Sequence, residues 1–151
     1  MTRRPFEDAV GDVVGATVLL DVDGTLLPDG TRILTDAVAA AVARLRGQND
    51  VYLVSNHGDA ERIRALAETL SVAVAPAGTP AGKPSARAAD GIPREKPLVV
   101  IGEKGITDGL FARAIGARFV RVRPKWSGKE KLSVRVAYLI DAVVSSLLWL
   151  G

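Results

Sequence analysis

The sequence contains no cysteine, which excludes disulfides, thiolate metal sites and cysteine nucleophiles, so any catalyst in this chain works with oxygen or nitrogen. That absence fits a reducing cytosol without requiring one. Histidine is almost as scarce: His57 stands alone, and a metal site built from several histidines of one chain is excluded. His57 fits a substrate contact at the mouth of a site, or equally a loop position without a role. No secretory leader is visible, because Glu7, Asp8 and Asp12 follow Arg3 and Arg4 where an uninterrupted apolar stretch would be needed. The expected location is therefore cytoplasmic. Internal repeats and low-complexity tracts are also missing.

What is present is an ordinary globular composition over 151 residues, 48% hydrophobic and 25% charged, with 15 glycines and 8 prolines spread along the chain. One domain spanning 1 to 151 is expected, burying roughly 70% of its unfolded surface. The net charge of +3 is unevenly placed. Residues 118 to 135 carry Arg118, Arg121, Arg123, Lys125, Lys129, Lys131 and Arg135 against Glu130 alone, so this segment is +6 and the remainder −3. Such a block is either a solvated face or a surface for phosphate-rich partners, lipid headgroups or nucleic acid.

Short apolar runs alternate with helix-like stretches, the signature of a parallel sheet covered by helices. The runs are residues 17 to 22, 51 to 54, 72 to 74, 98 to 101 and 119 to 122. Thr35 is placed to cap a helix over 36 to 46, with Gly47 at its C-terminal cap. Over 59 to 70, Ile63, Leu66, Ala67 and Leu70 share one face, with Glu61, Arg62, Arg64 and Glu68 largely elsewhere. Thr107 is expected to cap a helix through Ala114 that ends near Gly116. In residues 132 to 150, 14 of 19 positions are apolar, but Arg135, Asp141 and Ser145 interrupt the run, which argues against a membrane span. On a helical wheel Arg135, Asp141, Ser145 and Ser146 gather on one side. The broad apolar face left over would pack on the domain, on a second subunit or on a membrane interface. Trp126 and Trp149 fit an interface or a hydrophobic seam, and Arg87, Arg94 and Lys96 read as surface charge.

The segment richest in chemistry is Asp21-Val22-Asp23-Gly24-Thr25, at the carboxyl end of the first strand, where ligands bind in open α/β sheets. Along an extended strand the two carboxylates would face opposite sides, yet a turn starting at Gly24 can bring the second round toward the first. A strand that buries Val18 to Val22 has no structural need for two acids, since unpaired buried charge is costly.

This motif resembles the Asp-x-Asp-x-Thr signature of the haloacid dehalogenase superfamily of phosphotransferases. The resemblance covers residues 16 to 123, and later motifs follow in order. Ser55-Asn56 ends the second main strand, Lys83-Pro84 precedes a short helix-like stretch, and residues 102 to 108 follow the fourth strand, similar to a Gly-Asp-x4-Asp pattern. The fold implied is a three-layer α/β/α Rossmann-like domain with a central parallel sheet. By this resemblance Asp21 attacks phosphorus to form an aspartyl-phosphate, and Asp23 protonates the leaving oxygen and then deprotonates water. Mg²⁺ would be held by Asp21, the Asp23 backbone carbonyl, Glu103 and Asp108. Thr25, Ser55, Asn56 and Lys83 form the implied phosphate-binding set, with Thr25 also ordering the turn. Glu103 departs from the family, which usually has Asp there. Its carboxylate reaches one methylene farther, so it would bind the ion through water or leave Asp108 as the main ligand, and a weakly active or binding-only domain is an alternative.

Only 29 residues separate Thr25 from Ser55, and 27 separate Ser55 from Lys83, so neither gap holds a cap domain. The arrangement is similar to the small capless branch that includes phosphatidylglycerophosphate phosphatases. A lipid phosphate substrate would suit the basic block and apolar tail, with residues 118 to 150 resting on the inner membrane face. The alternative is a soluble, oligomeric sugar-phosphate or nucleotide phosphatase. No nucleic acid partner is expected.

Overall fold

A computed structural model describes residues 3 to 149. Five strands form one sheet in the order β3-β2-β1-β4-β5, every pairing parallel. β1 (Thr17–Leu20) lies at its centre, hydrogen-bonded to β2 (Asp50–Leu53) on one side and to β4 (Leu98–Gly102) on the other. β3 (Ala73–Val74) and β5 (Arg118–Arg121) are the edges. The four residues of β1 are all buried, as a continuous apolar strand covered on both faces must be.

Alternation along β1 splits its side chains between two cores. Val18 and Leu20 join the core under α1 (Phe6–Ala9), α2 (Asp36–Gln48) and α3 (Ala60–Leu70), with Phe6, Val38, Val42, Leu45, Ile63 and Leu66. Leu19 points the other way, to Val100, Phe111 and Ile115, the latter two on α4 (Leu110–Ile115). The result is the expected three-layer α/β/α arrangement around a parallel sheet. Each core residue buried this fully contributes about 1.5–3 kcal/mol of hydrophobic free energy. Among the described residues there is no cap: β1 and β2 are connected through α2 alone, and β2 and β4 through α3, β3 and one 3₁₀ turn, Ala86–Ala89.

Several boundaries differ from the sequence pattern for identifiable reasons. β1 stops at Leu20, not Val22, because the backbone turns at Val22, whose carbonyl accepts from Thr25, Leu26 and Leu27. α2 runs through Gly47 to Gln48, with Asn49 as its C-cap. The buried Asn49 side chain explains the later stop: its amide donates to the Leu45 and Val13 carbonyls and its oxygen accepts from Ala16 N–H. Those bonds satisfy a helix-end carbonyl and tie it to the strand entrance. Thr107 does not cap a helix. It lies inside a wide π turn, Gly105–Gly109, and α4 starts only at Leu110, closing as expected at Gly116 in the left-handed conformation.

The largest difference concerns α5 (Leu132–Trp149), because its polar side turns inward. Asp141 and Ser145 are buried together with Tyr138, while Leu139 is 66% and Leu147 74% exposed, and Leu132, Val136, Ile140 and Val143 are exposed too. Arg135 and Ser146, expected beside Asp141, are exposed. Asp141 anchors the inward side: Oδ2 accepts from Arg121 Nη2 at 2.8 Å and Oδ1 from Ile106 N–H at 2.8 Å. Leu150, the last residue of the expected helix, lies outside the described residues, and no helix among the described residues is long and apolar enough to cross a membrane.

Candidate active site

The order of the strands places a crevice at the carboxyl end of β1, where the chain leaves toward β2 on one side and returns to β4 on the other. A cleft of about 220 Å³ opens there, lined by Asp21, Asp23, Asp29, Ser55, Asn56, His57, Lys83, Glu103, Lys104 and Thr107. Asp21 is the first residue past β1, and its N–H still bonds the Ile101 carbonyl at 2.9 Å, so its position is fixed by the sheet. The chain then bends at Gly24, with φ +80°. A Cβ there would overlap the Tyr138 hydroxyl and come within 2.7 Å of Glu103 Oε1, so only glycine fits the turn.

Both oxygens of Asp21 are engaged. Oδ2 accepts from the Thr25 hydroxyl at 2.9 Å and Oδ1 from Lys83 Nζ at 2.8 Å. Lys83 also reaches Asp108 Oδ1 at 2.5 Å, so one buried ammonium bridges two carboxylates from different strand ends. Burial alone would lower the Lys83 pKa, but Asp108 and Asp21 together raise it well above the ordinary lysine value, and the side chain stays charged. Asp21, Glu103 and Asp108 form a carboxylate cluster in which one oxygen from each lies within 4.8 Å of the other two. Burial first, and then the charges of Asp21 and Asp108, push the Glu103 pKa up to about 10. Burial and Asp21 push Asp108 up to about 6 against the opposing effect of Lys83. Lys83 is shared between Asp21 and Asp108, and Glu103, the third acid of the cluster, has no hydrogen bond to it.

The donor set fits a hard divalent cation. It offers only oxygen, its span is near the ~4 Å between opposite ligands around Mg²⁺ at ~2.1 Å, and Glu103 Oε2 is buried with no hydrogen-bond partner among the described residues.

The other expected residues take more varied places. Ser55 lines the cleft, and its oxygen accepts from His57 N–H at 3.1 Å, leaving the hydroxyl proton free to donate. His57 also lines the cleft, with Nδ1 accepting from Asp59 N–H. Thr25 is fully buried and absent from the cleft lining, its hydroxyl spent on Asp21. Asn56 is committed to the lysine loop: Oδ1 accepts from Gly82 and Lys83 N–H, and Nδ2 donates to the Lys83 carbonyl at 2.8 Å. It holds the backbone from which Lys83 projects.

Asp23 is held from a direction the sequence pattern did not indicate. Arg62, placed off the apolar face of its helix by periodicity, is buried and donates through Nη1 and Nη2 to the two oxygens of Asp23 at 3.1 and 2.7 Å. Nη2 and Nε also reach the Thr31 carbonyl. The Asp59 side chain, which accepts from Arg62 N–H as the N-cap of α3, sets the register that brings Arg62 inward. Asp59 followed three residues later by a long cation was the available signal. Tyr138, Arg121 and Asp141 were equally missed: Tyr138 and Asp141 lie 30 and 33 residues beyond Asp108, on α5, and Arg121 reaches the site from the edge strand before it.

No family model matches this chain, and no curated protein or solved structure matches it.

Proposed function

We propose that this protein is a phosphomonoester hydrolase of the haloacid dehalogenase type, working through an aspartyl-phosphate on Asp21. The observation that supports this best is the placement of Asp21, fixed by Thr25 and Lys83 at the end of the central strand and beside Glu103 and Asp108 in an open cleft. A Mg²⁺ ion held by Asp21, Glu103 and Asp108 would neutralise charge between an anionic nucleophile and an anionic phosphate. Asp21 attacks phosphorus through a carboxylate oxygen. Ser55 donates its free hydroxyl proton to a phosphoryl oxygen, and the Lys83 ammonium balances the charge of the group in transfer. Asp23 passes a proton to the leaving oxygen and later removes one from the attacking water, with Arg62 fixing where its carboxylate stands. The test is hydrolysis of a generic aryl phosphate, then of phospholipid, sugar-phosphate and nucleotide panels. Turnover is expected with Mg²⁺ and is expected to vanish with chelator. A chain inert toward every panel with Mg²⁺ and Mn²⁺ is instead a binding domain.

For the substrate class, the outward apolar face of α5 favours a lipid phosphate on an anionic membrane surface. Seven large apolar side chains of this helix are exposed, and Lys129, Lys131 and Arg135 are exposed at its start. The cations would meet headgroups while the leucines enter the interface. Co-sedimentation with phosphatidylglycerol vesicles is expected, weakening as salt rises and falling roughly tenfold for the double change Leu139→Glu and Leu147→Glu. Indifference to vesicles, with a dimer that the same changes dissociate, would assign the face to a second copy and the activity to soluble phosphates.

A further inference from the structure

Two buried polar atoms at the site have no hydrogen-bond partner among the described residues: Glu103 Oε2 and the Tyr138 hydroxyl. They belong together. Tyr138 comes from α5, only 9% exposed, and its hydroxyl converges with Glu103 Oε1 on the space that a Cβ at Gly24 would fill. The ring is held from two sides, by Trp126 with centroids 4.4 Å apart and by Lys104, whose Nζ lies 4.8 Å from the ring centroid. A phenol hydroxyl is a hydrogen-bond donor at neutral pH, and this one is aimed at the Glu103 side chain. The backbone of the Glu103 loop is fixed from the same helix. Asp141 accepts from Ile106 N–H and from Arg121, and Arg121 Nε donates to the Glu103 carbonyl at 3.2 Å. One helix thus flanks Glu103 twice: the Tyr138 hydroxyl lies beside its side chain, and Asp141, acting with Arg121, holds its main chain.

We infer that Tyr138 is a positioning residue for the metal-binding cluster: its hydroxyl restrains the Glu103 side chain so that the carboxylate faces Asp21 and Asp108. The inference rests on the metal-dependent reading above. A glutamate has one more rotatable bond than an aspartate, and a buried donor beside its carboxylate removes the freedom that the longer arm adds. α5, with no part in the strand-end motifs, then completes the site.

The experiment is Mn²⁺ binding to the full chain, followed by electron paramagnetic resonance, in Tyr138→Phe, which deletes only the hydroxyl. The Kd for Mn²⁺ is expected to rise about tenfold, and the Mg²⁺ concentration for half-maximal turnover with it, while kcat at saturating Mg²⁺ stays within about twofold. In a Glu103→Asp background, where the carboxylate no longer extends to the phenol, Tyr138→Phe is expected to change the Kd by less than about twofold. Unchanged Mn²⁺ affinity in Tyr138→Phe, or an equal loss in both backgrounds, overturns the positioning role alone. A wild-type chain that binds no Mn²⁺ overturns the metal-dependent reading together with it. Melting curves separate a loss of affinity from a loss of fold.

Discussion

Replacing Asp21 with asparagine is expected to abolish phosphatase turnover, by roughly 10⁴-fold or more, without lowering the melting temperature. Asparagine keeps the shape and one oxygen, so Thr25 or Lys83 still finds an acceptor, and Lys83 retains Asp108 as its second partner. What disappears is the anionic nucleophile. The change also removes one of the charges that raise the pKa values of Glu103 and Asp108, so crowding in the cluster falls. Loss of turnover without loss of stability is the pattern of a residue placed for chemistry at the expense of the fold. Steady-state assays beside thermal melts decide it. Turnover surviving within tenfold would remove Asp21 from the nucleophile's role, and a chain that no longer melts cooperatively would make it a structural acid.

Glu103→Gln is expected to move stability and activity in opposite directions. The Glu103 carboxyl is 1% exposed and its pKa is pushed up to about 10 from the ordinary 4.5, so the folded chain holds a proton that the unfolded chain releases. Its contribution to stability is full below about pH 4.5 and is lost progressively as pH rises toward about 10. An amide has no such dependence. In chelator at pH 8 the variant should be more stable than the parent by on the order of 2 kcal/mol, well below the ceiling of ~1.4 kcal/mol for each pH step above the ordinary carboxyl value. That corresponds to roughly 4–8 °C in Tm. At pH 4.5 the two should melt together, and saturating Mg²⁺ should close the gap at pH 8 by stabilising only the parent. Mg²⁺-dependent turnover should fall by on the order of 10²-fold or more, because an amide is a poor ligand for a hard cation. A parent that is more stable than the variant in chelator at pH 8 would contradict the buried, crowded carboxyl.

The sequence disclosed the parts of this molecule governed by local periodicity. Apolar runs marked all five strands, and Thr35 capped α2 as its position indicated, because such signals act within a few residues. Asp21, Lys83, Glu103 and Asp108 were picked out by the resemblance of their motifs. The fold brings them together because Asp21 follows β1 while Glu103 and Asp108 follow the neighbouring β4 at the same edge of the sheet, and the loop after β3 carries Lys83 in to meet them. Long-range pairing stayed hidden. Arg62 sits among charged neighbours on α3, and its burial is explained by the Asp23 carboxylate, 39 residues away, and the Thr31 carbonyl, 31 residues away. Asn56, expected to touch phosphate, supports the Lys83 loop from 27 residues away. In α5 the hydrophobic pattern left the apolar face open to the domain, a second subunit or a membrane; the structure turns it outward, with Asp141 paired to Arg121 on the inner side, a pairing that periodicity does not encode.

The edges of the sheet carry a consequence for how this chain aggregates. β3 offers only two residues to an incoming strand, and β5 carries Arg118 and Arg121 at its ends, with the extension at Val122 already bridged to Arg4. Neither edge is a good template for cross-β growth. The sticky surface of the molecule is helical instead, so crowding would produce helix-paired oligomers or amorphous precipitate in preference to fibrils.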